Sequence, residues 1–127
     1  MTGDDLIHLA GHLAVNSRLG RSDEARYRSA VSRAYYGAFH LVCAFLDKHC
    51  GLAVLRNHHG HRQAFEMLTG LSNPAAVESA RLLEDLRHER NRADYNLLVS
   101  SFRDAEIARQ CVEMADSIRS ALELCRH

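Results

Sequence analysis

The sequence has no tryptophan, a single proline and a single lysine. Because proline is nearly absent, helices can run uninterrupted over long stretches. Ala, Leu, Glu and Arg far outnumber β-branched residues, so an all-β fold is excluded. Acidic and basic residues balance at 16 each, which excludes a whole-molecule field that attracts nucleic acid or anionic membranes. No apolar run reaches the roughly 20 residues that span a bilayer, and the start, Met-Thr-Gly-Asp-Asp, is too acidic for a secretion signal. We expect one cytoplasmic domain over residues 1–127, with no membrane segment.

Cysteine and histidine are the residues that would carry a metal or disulfide framework. The four cysteines lack CxxC spacing and three fall on apolar helical stripes, which favours reduced core residues over disulfides or zinc ligands. His58, His59 and His61 lie close in sequence, but no nearby carboxylate or helical spacing supports a closed metal site. We expect neither a metal nor a cofactor.

Apolar residues recur at spacings of three and four along most of the chain, which predicts helices. Glycine stops and capping residues mark the boundaries, most sharply at Asn73 before Pro74. The predicted helices are Asp4–Leu19, Ala25 to a stop at Gly51, His61–Thr69, Pro74 to about Asn91, and Ser101 to the C-terminus, with Arg92–Ser100 ambiguous. Short connections predict an all-α, four- or five-helix up-and-down bundle. Ala34–Leu46 is apolar almost all round, so we expect it at the bundle centre or at a subunit interface.

Three groups of residues are candidates for function. The segment Arg90-Asn91-Arg92-Ala93-Asp94-Tyr95 is polar and aromatic, although such a group at a helix junction is more often a structural clasp than an active site. Lys48–Phe65 contains no acid and four histidines, so it is either an anion-binding surface or a solvated loop. The arginines from Arg18 to Arg33 either contact phosphates or form a solvated helix end.

Tyr35 and Tyr36 are adjacent on the second predicted helix, so their side chains cannot face the same way. We expect one of them to fill the core and the other to approach Arg90. The sequence leaves open which of the two does which.

Two segments, Ser32-Arg33-Ala34-Tyr35-Tyr36-Gly37-Ala38-Phe39-His40 and Arg90-Asn91-Arg92-Ala93-Asp94-Tyr95, with His61 between them, resemble the HEPN family. The resemblance is to its small stand-alone prokaryotic members and runs from about Arg21 to Leu122. It implies a helical bundle that forms a homodimer. Such proteins are often encoded beside a minimal nucleotidyltransferase as a toxin–antitoxin pair.

Many HEPN proteins are metal-independent ribonucleases whose motif is an arginine, a polar residue beside it and a histidine four to six residues later. Arg90 matches the arginine and Asn91 the polar residue, whereas Tyr95 stands where the histidine belongs. A phenol with a pKa of about 10 is a poor general base at pH 7. The resemblance therefore implies a protein that binds RNA, a nucleotide or a partner, with weak or no catalysis.

The expected site residues follow from this resemblance. The catalytic positions are Arg90, Asn91 and Tyr95, and the further nucleotide- or RNA-binding residues are Arg92, Asp94, Tyr36, His61 and Arg33. One alternative is an active ribonuclease toxin in which Tyr95 or a histidine such as His61 supplies the acid/base group. A second makes Tyr95 the residue that the partner nucleotidyltransferase adenylylates, and a third is a helical scaffold without a ligand.

Overall fold

The computed structural model describes residues 2–15, 21–55, 57, 59–95 and 101–125. In these residues the backbone forms five α-helices and no strand. In chain order they are α1 (Gly3–Val15), α2 (Arg21–Cys50), α3 (Gly60–Gly70), α4 (Pro74–Tyr95) and α5 (Ser101–Cys125). The predicted all-α bundle is confirmed.

Helix α2 is the centre of the bundle. It is 30 residues long and packs against each of the other four helices. Its buried positions recur every three or four residues and include many alanines, which let neighbouring helices approach closely: Tyr27, Ala30, Val31, Ala34, Tyr35, Ala38, Val42, Phe45 and Leu46. The predicted central position of Ala34–Leu46 is confirmed, and a subunit interface at this segment stays a prediction.

Glycine fixes the approach of α1 to α2. A Cβ atom on Gly37 would lie 2.8 Å from the carbonyl oxygen of Gly3 and 2.8 Å from Cγ1 of Ile7. The two backbones therefore meet at a distance that only glycine allows. Gly37 directly follows Tyr35 and Tyr36 in the sequence. The close contact at Gly37 therefore also fixes the position of these two tyrosines along α1.

Helix α4 begins where the sequence predicts. The Asn73 side-chain oxygen Oδ1 accepts hydrogen bonds from the backbone N–H groups of Ala75, at 2.9 Å, and Ala76, at 3.4 Å. Pro74 occupies the first helical position, where no backbone N–H is needed. These contacts satisfy backbone donors that a helix start otherwise leaves unpaired.

The C-terminal end of one helix differs from the prediction. Helix α4 continues through Tyr95 instead of ending at about Asn91, because this stretch contains no glycine or proline that would stop it. The rest of the ambiguous segment, 96–100, lies outside the described residues. Helix α1 is described as far as Val15, so the predicted continuation over 16–19 also lies outside them.

Replacing Asn73 by alanine is expected to lower the free energy of unfolding by about 1 kcal/mol, because the cap of the site-bearing helix is lost. Urea denaturation followed by circular dichroism measures the effect. Asn73→Asp is the control, since an aspartate also caps, and its stability is expected to stay close to that of the wild type. Equal stability of the alanine variant and the wild type would contradict the capping role.

The cysteines and the helix lengths bear on two further predictions. All four cysteines are free, with Cys43 and Cys111 buried and Cys50 and Cys125 half-buried. Burial raises the pKa of the Cys111 thiol to about 12, so this thiol stays protonated and unreactive.

Across the described ranges, no helix combines the length and the apolar character that a bilayer crossing requires.

Candidate functional site

The buried stripe of α4 leads directly to Arg90. Ala76, Ala80, Leu83 and Leu86 are fully buried at spacings of three and four, and Arg90 occupies the next position of this stripe. A charged head group cannot enter an apolar core without a large cost, so the side chain is only half-buried. Arg90 therefore carries its guanidinium to the rim of the core.

Two tyrosine rings of α2 lie beneath that guanidinium. The Cζ atom of Arg90 is 5.4 Å from the centroid of the Tyr35 ring and 5.1 Å from that of Tyr36. Both distances fall within the range of cation–π attraction. The two rings meet edge to face, with centroids 5.2 Å apart and planes at 68°. Arg90 is thus positioned by contacts between α4 and α2.

The structure also decides between the two tyrosines. Tyr35 is 3% exposed and belongs to the core, whereas Tyr36 is 41% exposed. This confirms that one ring fills the core while the other approaches Arg90. The prediction did not foresee that the buried ring contacts the guanidinium as well.

A chain of hydrogen bonds connects Tyr35 with α3 and α4. The Tyr35 hydroxyl lies 2.9 Å from Nδ1 of His61, and Nε2 of His61 lies 2.6 Å from Oε2 of Glu84. An ionised carboxylate only accepts, so Nε2–H donates to Glu84. In the neutral imidazole Nδ1 then has no hydrogen, and it accepts from the Tyr35 hydroxyl. The three side chains form one directed chain across three helices.

The protonation states agree with this arrangement. Burial lowers the pKa of His61, because the charged imidazolium is disfavoured there, although the hydrogen bond and the charge of Glu84 act in the opposite direction. The hydrogen bond from His61 lowers the pKa of Glu84. Burial raises the pKa of Tyr35 to about 12, and the nearby charges of Arg90 and Arg87 limit that rise. At neutral pH the chain therefore consists of a phenol, a neutral imidazole and a carboxylate.

The second oxygen of Glu84 faces an exposed histidine. Nε2 of His88, four residues further along α4, lies 3.4 Å from Oε1 of Glu84. Arg87 lies near enough to act on the pKa values of Tyr35, His61 and Glu84. We call this group the Arg90 cluster; its members are Tyr35, Tyr36, His61, Glu84, Arg87, His88 and Arg90. It combines two arginines, two histidines and two tyrosine rings with one carboxylate, which already pairs with both histidines.

The predicted site residues are distributed unevenly around this cluster. Arg90, Tyr36 and His61 belong to it. His61 is only 6% exposed and uses both ring nitrogens within the protein, so it supports the tyrosine pair from the interior. Arg33 is half-buried on α2, one turn before Tyr36, and Asn91 is half-buried beside Arg90.

Arg92 points toward a different part of the bundle. Its guanidinium pairs with Oε1 of Glu89 at 3.2 Å, and both residues line a cavity of about 20 Å³ together with Tyr27 and Arg28. Such a volume accommodates about one water molecule. The side chains of Asp94 and Tyr95 lie outside the described residues, and only their backbone in the last turn of α4 is described. The predicted roles of Asp94 and Tyr95 therefore stay predictions.

Glu84, Arg87, His88 and Tyr35 are the cluster members that sequence reasoning did not select. Tyr35 is one of the two alternatives for the core that the sequence leaves open. One available signal was the spacing of Glu84 and His88, which places them on neighbouring turns of one helix face. The link from Glu84 to His61 spans 23 positions, which helix periodicity does not reveal.

Among the described residues, no three His, Cys, Asp or Glu side chains are grouped so that they could hold a metal ion. The Glu84 carboxylate bridges two histidines, but Nε2 of His61 is used in the hydrogen bond to it and Nδ1 in the bond to Tyr35.

The fold and the site together define a class: a helical bundle that presents an arginine of one helix over a tyrosine pair of another. The chain belongs to the HEPN domain family, whose sequence profile matches residues 16–125. No curated protein and no solved structure matches the chain. Membership in this family supports a function related to nucleotides or RNA.

Proposed function

We propose that this HEPN protein binds phosphates of RNA or of a nucleotide through Arg90 and cleaves RNA weakly or not at all. The observation that carries the proposal is the guanidinium of Arg90, whose Cζ atom lies over two tyrosine rings at the rim of the core. The planar fork of N–H donors on a guanidinium suits bidentate bonds to phosphate oxygens.

The charges around Arg90 also favour an anionic ligand. Arg87 adds a second permanent positive charge. Glu84 is the carboxylate of the cluster, and its two oxygens already face His61 and His88. A phosphate at Arg90 therefore meets more attraction than repulsion from the described side chains.

The family supports a wider setting for this activity. HEPN domains commonly dimerise, so residues 1–127 act, under this proposal, as one domain within a homodimer. The protein would serve in the cytoplasm as the HEPN component of a toxin–antitoxin or defence system, with a minimal nucleotidyltransferase as its antitoxin. The exchange of histidine for Tyr95 supports binding over cleavage.

Binding is tested with a fluorescently labelled single-stranded RNA and anisotropy measurements. Arg90→Ala is expected to weaken binding about 10- to 100-fold, since hydrogen bonds to a charged partner contribute roughly 1.5–3 kcal/mol. The slope of log affinity against log salt concentration is expected to fall in magnitude by about 1, because one phosphate contact is lost.

Arg109→Ala is the matched control, because it removes the same charge from an exposed position on α5. Its affinity is expected to fall much less than that of Arg90→Ala. Equal losses in the two variants would show that only net charge matters and would contradict a site at Arg90.

A metal-independent ribonuclease is the second candidate, and the pairing of His88 with Glu84 favours it. An imidazole oriented by a carboxylate is suited to act as a general base, and His88 is exposed two residues before Arg90. Incubation of mixed cellular RNA with the protein in EDTA separates the candidates, and we expect the RNA to stay intact. Cleavage by the wild type but not by Arg90→Ala would establish the ribonuclease, and its loss in His88→Gln would identify the base.

A further inference from the structure

Tyr36 is an aromatic ring that the packing of the bundle leaves at the surface. The exposed large apolar side chains of the described residues are Tyr36, Leu55, Val77 and Leu124. Of these, Tyr36 is the aromatic one, and it lies against the proposed phosphate-binding arginine. An exposed apolar side chain needs no explanation by itself. Tyr36 also contacts Arg90, the proposed phosphate-binding residue, so a ligand bound at Arg90 lies close to the ring.

The ring is held in place before any ligand arrives. The edge-to-face contact with Tyr35 restrains it on one side, and the Arg90 guanidinium covers it at 5.1 Å on another. Tyr35 in turn is fixed by its hydrogen bond to His61. The adjacent Gly37 locks the backbone of α2 against α1. A ring with so little freedom loses little conformational entropy when a flat group stacks on it.

Basic groups surround this ring on α2 as well as on α4. Arg33 lies three residues before Tyr36 and the exposed His40 four residues after it, so both share its side of the helix. Arg90 approaches the ring from α4, and Arg87 lies near enough to act on the pKa of the neighbouring Tyr35. Aromatic rings interleaved with cations are the surface that an unpaired nucleotide needs, with a flat face for the base and positive charge for the phosphates.

We propose that the base of an unpaired nucleotide stacks on the exposed ring of Tyr36 beside Arg90, so that the ligand is single-stranded RNA. This inference rests on the proposed function. It adds the base, which is the part of the ligand that phosphate binding alone does not identify. Bases inside a duplex are stacked on one another and cannot reach the ring. A free phosphate has no flat group that could stack on the ring.

The test compares two labelled strands of about six nucleotides, a length within the usual range of single-strand sites. One strand carries bases and the other carries abasic sugars, so the number of phosphates is the same. Anisotropy titrations are run with the wild type, Tyr36→Leu and Tyr36→Phe. Tyr36→Phe is the matched control, because it retains the ring and removes only the hydroxyl.

The wild type is expected to bind the strand with bases about tenfold more tightly than the abasic strand, as stacking of one base on one aromatic ring predicts. The preference is expected to persist in Tyr36→Phe and to disappear in Tyr36→Leu. The readout is the ratio of the two affinities within each protein, because loss of the ring also removes a contact of Arg90 and lowers the affinity for both strands.

Three results would overturn the inference, and they are distinguishable. Equal affinity of the wild type for both strands would refute base stacking and leave phosphate binding through Arg90 intact. A preference that persists in Tyr36→Leu would refute the assignment to this ring. Failure of the wild type to bind either strand would refute the proposed function itself.

Discussion

The Leu86→Ala variant is expected to unfold with a free energy about 2–5 kcal/mol lower than that of the wild type. Leu86 is fully buried in the core cluster, so truncation removes apolar contacts and leaves a cavity that the helices fill only in part. A domain of this size has a total stability of roughly 5–15 kcal/mol, so the loss is a large fraction of it. Urea denaturation followed by circular dichroism measures the change.

The same variant separates the stability of α4 from the binding proposed for it. Arg90 lies one turn after Leu86 on the same stripe, yet its guanidinium is positioned by the tyrosines of α2. Leu86→Ala is therefore expected to be less stable but to bind RNA like the wild type under conditions in which it is fully folded. Arg90→Ala is expected to lose RNA affinity and to keep most of its stability.

Val77→Ala is the matched control for this prediction. Val77 lies on the same helix and is 44% exposed, so its truncation is expected to change the free energy of unfolding by at most about 0.5 kcal/mol. Equal effects at Leu86 and Val77 would contradict the burial of Leu86. A loss of RNA affinity in folded Leu86→Ala would show that the core residue also positions Arg90.

The fold could be predicted because several helix boundaries carry a local signal. Asn73 and Pro74 begin α4 through hydrogen bonds that involve only the next three residues. Gly51 adopts a φ of 66°, a left-handed conformation that glycine enters readily, and it ends α2 at the predicted stop. Signals of this kind act within a few positions of the chain, so the sequence displays them directly.

The end of α4 shows what such signals miss. The segment from Arg92 to Tyr95 is polar, and polarity alone does not distinguish the last turn of a helix from a loop. No glycine or proline marks an end there, and the helix continues. This extension places Asp94 and Tyr95 on the same helix as Arg90 rather than on a following loop.

The site could be predicted only in part, because its contacts join different helices. The family resemblance selects Arg90, Tyr36 and His61, which the structure brings together in the Arg90 cluster. The sequence also predicts that one of the two adjacent tyrosines fills the core, and this tyrosine is Tyr35. The role of Glu84 follows from the packing of α3 on α4, which brings its carboxylate to His61. That distance depends on the tertiary arrangement, and no local pattern encodes it.

His61→Ala is expected to lower the free energy of unfolding by about 2–4 kcal/mol at pH 8. The imidazole is buried and bonds to both Tyr35 and Glu84, so its removal leaves a cavity and an unsatisfied tyrosine hydroxyl in the core. Glu84 is about one-third exposed, so water replaces part of what its carboxylate loses.

The size of this loss is expected to depend on pH. As the pH falls through about 6.5, His61 of the unfolded chain takes up a proton, whereas in the folded chain burial lowers its pKa and delays protonation. The unfolded state then binds more protons, so the wild type loses stability on acidification. Near pH 4.5 and below, the lowered pKa of Glu84 acts in the same direction. His61→Ala lacks both effects, and its deficit relative to the wild type is expected to shrink as the pH falls.

Urea denaturation of both proteins at a series of pH values tests this expectation. The difference between the two curves matters, because it cancels the titration of every other group in the chain that the substitution leaves unchanged. Tyr35→Phe is the companion variant, since it retains His61 and removes only one of its two partners. Its deficit is expected to be smaller, roughly 1–2 kcal/mol. A His61→Ala deficit that grows with acidity would mean that the folded protein binds the His61 proton more tightly than the unfolded chain, and the neutral imidazole between Tyr35 and Glu84 would be wrong.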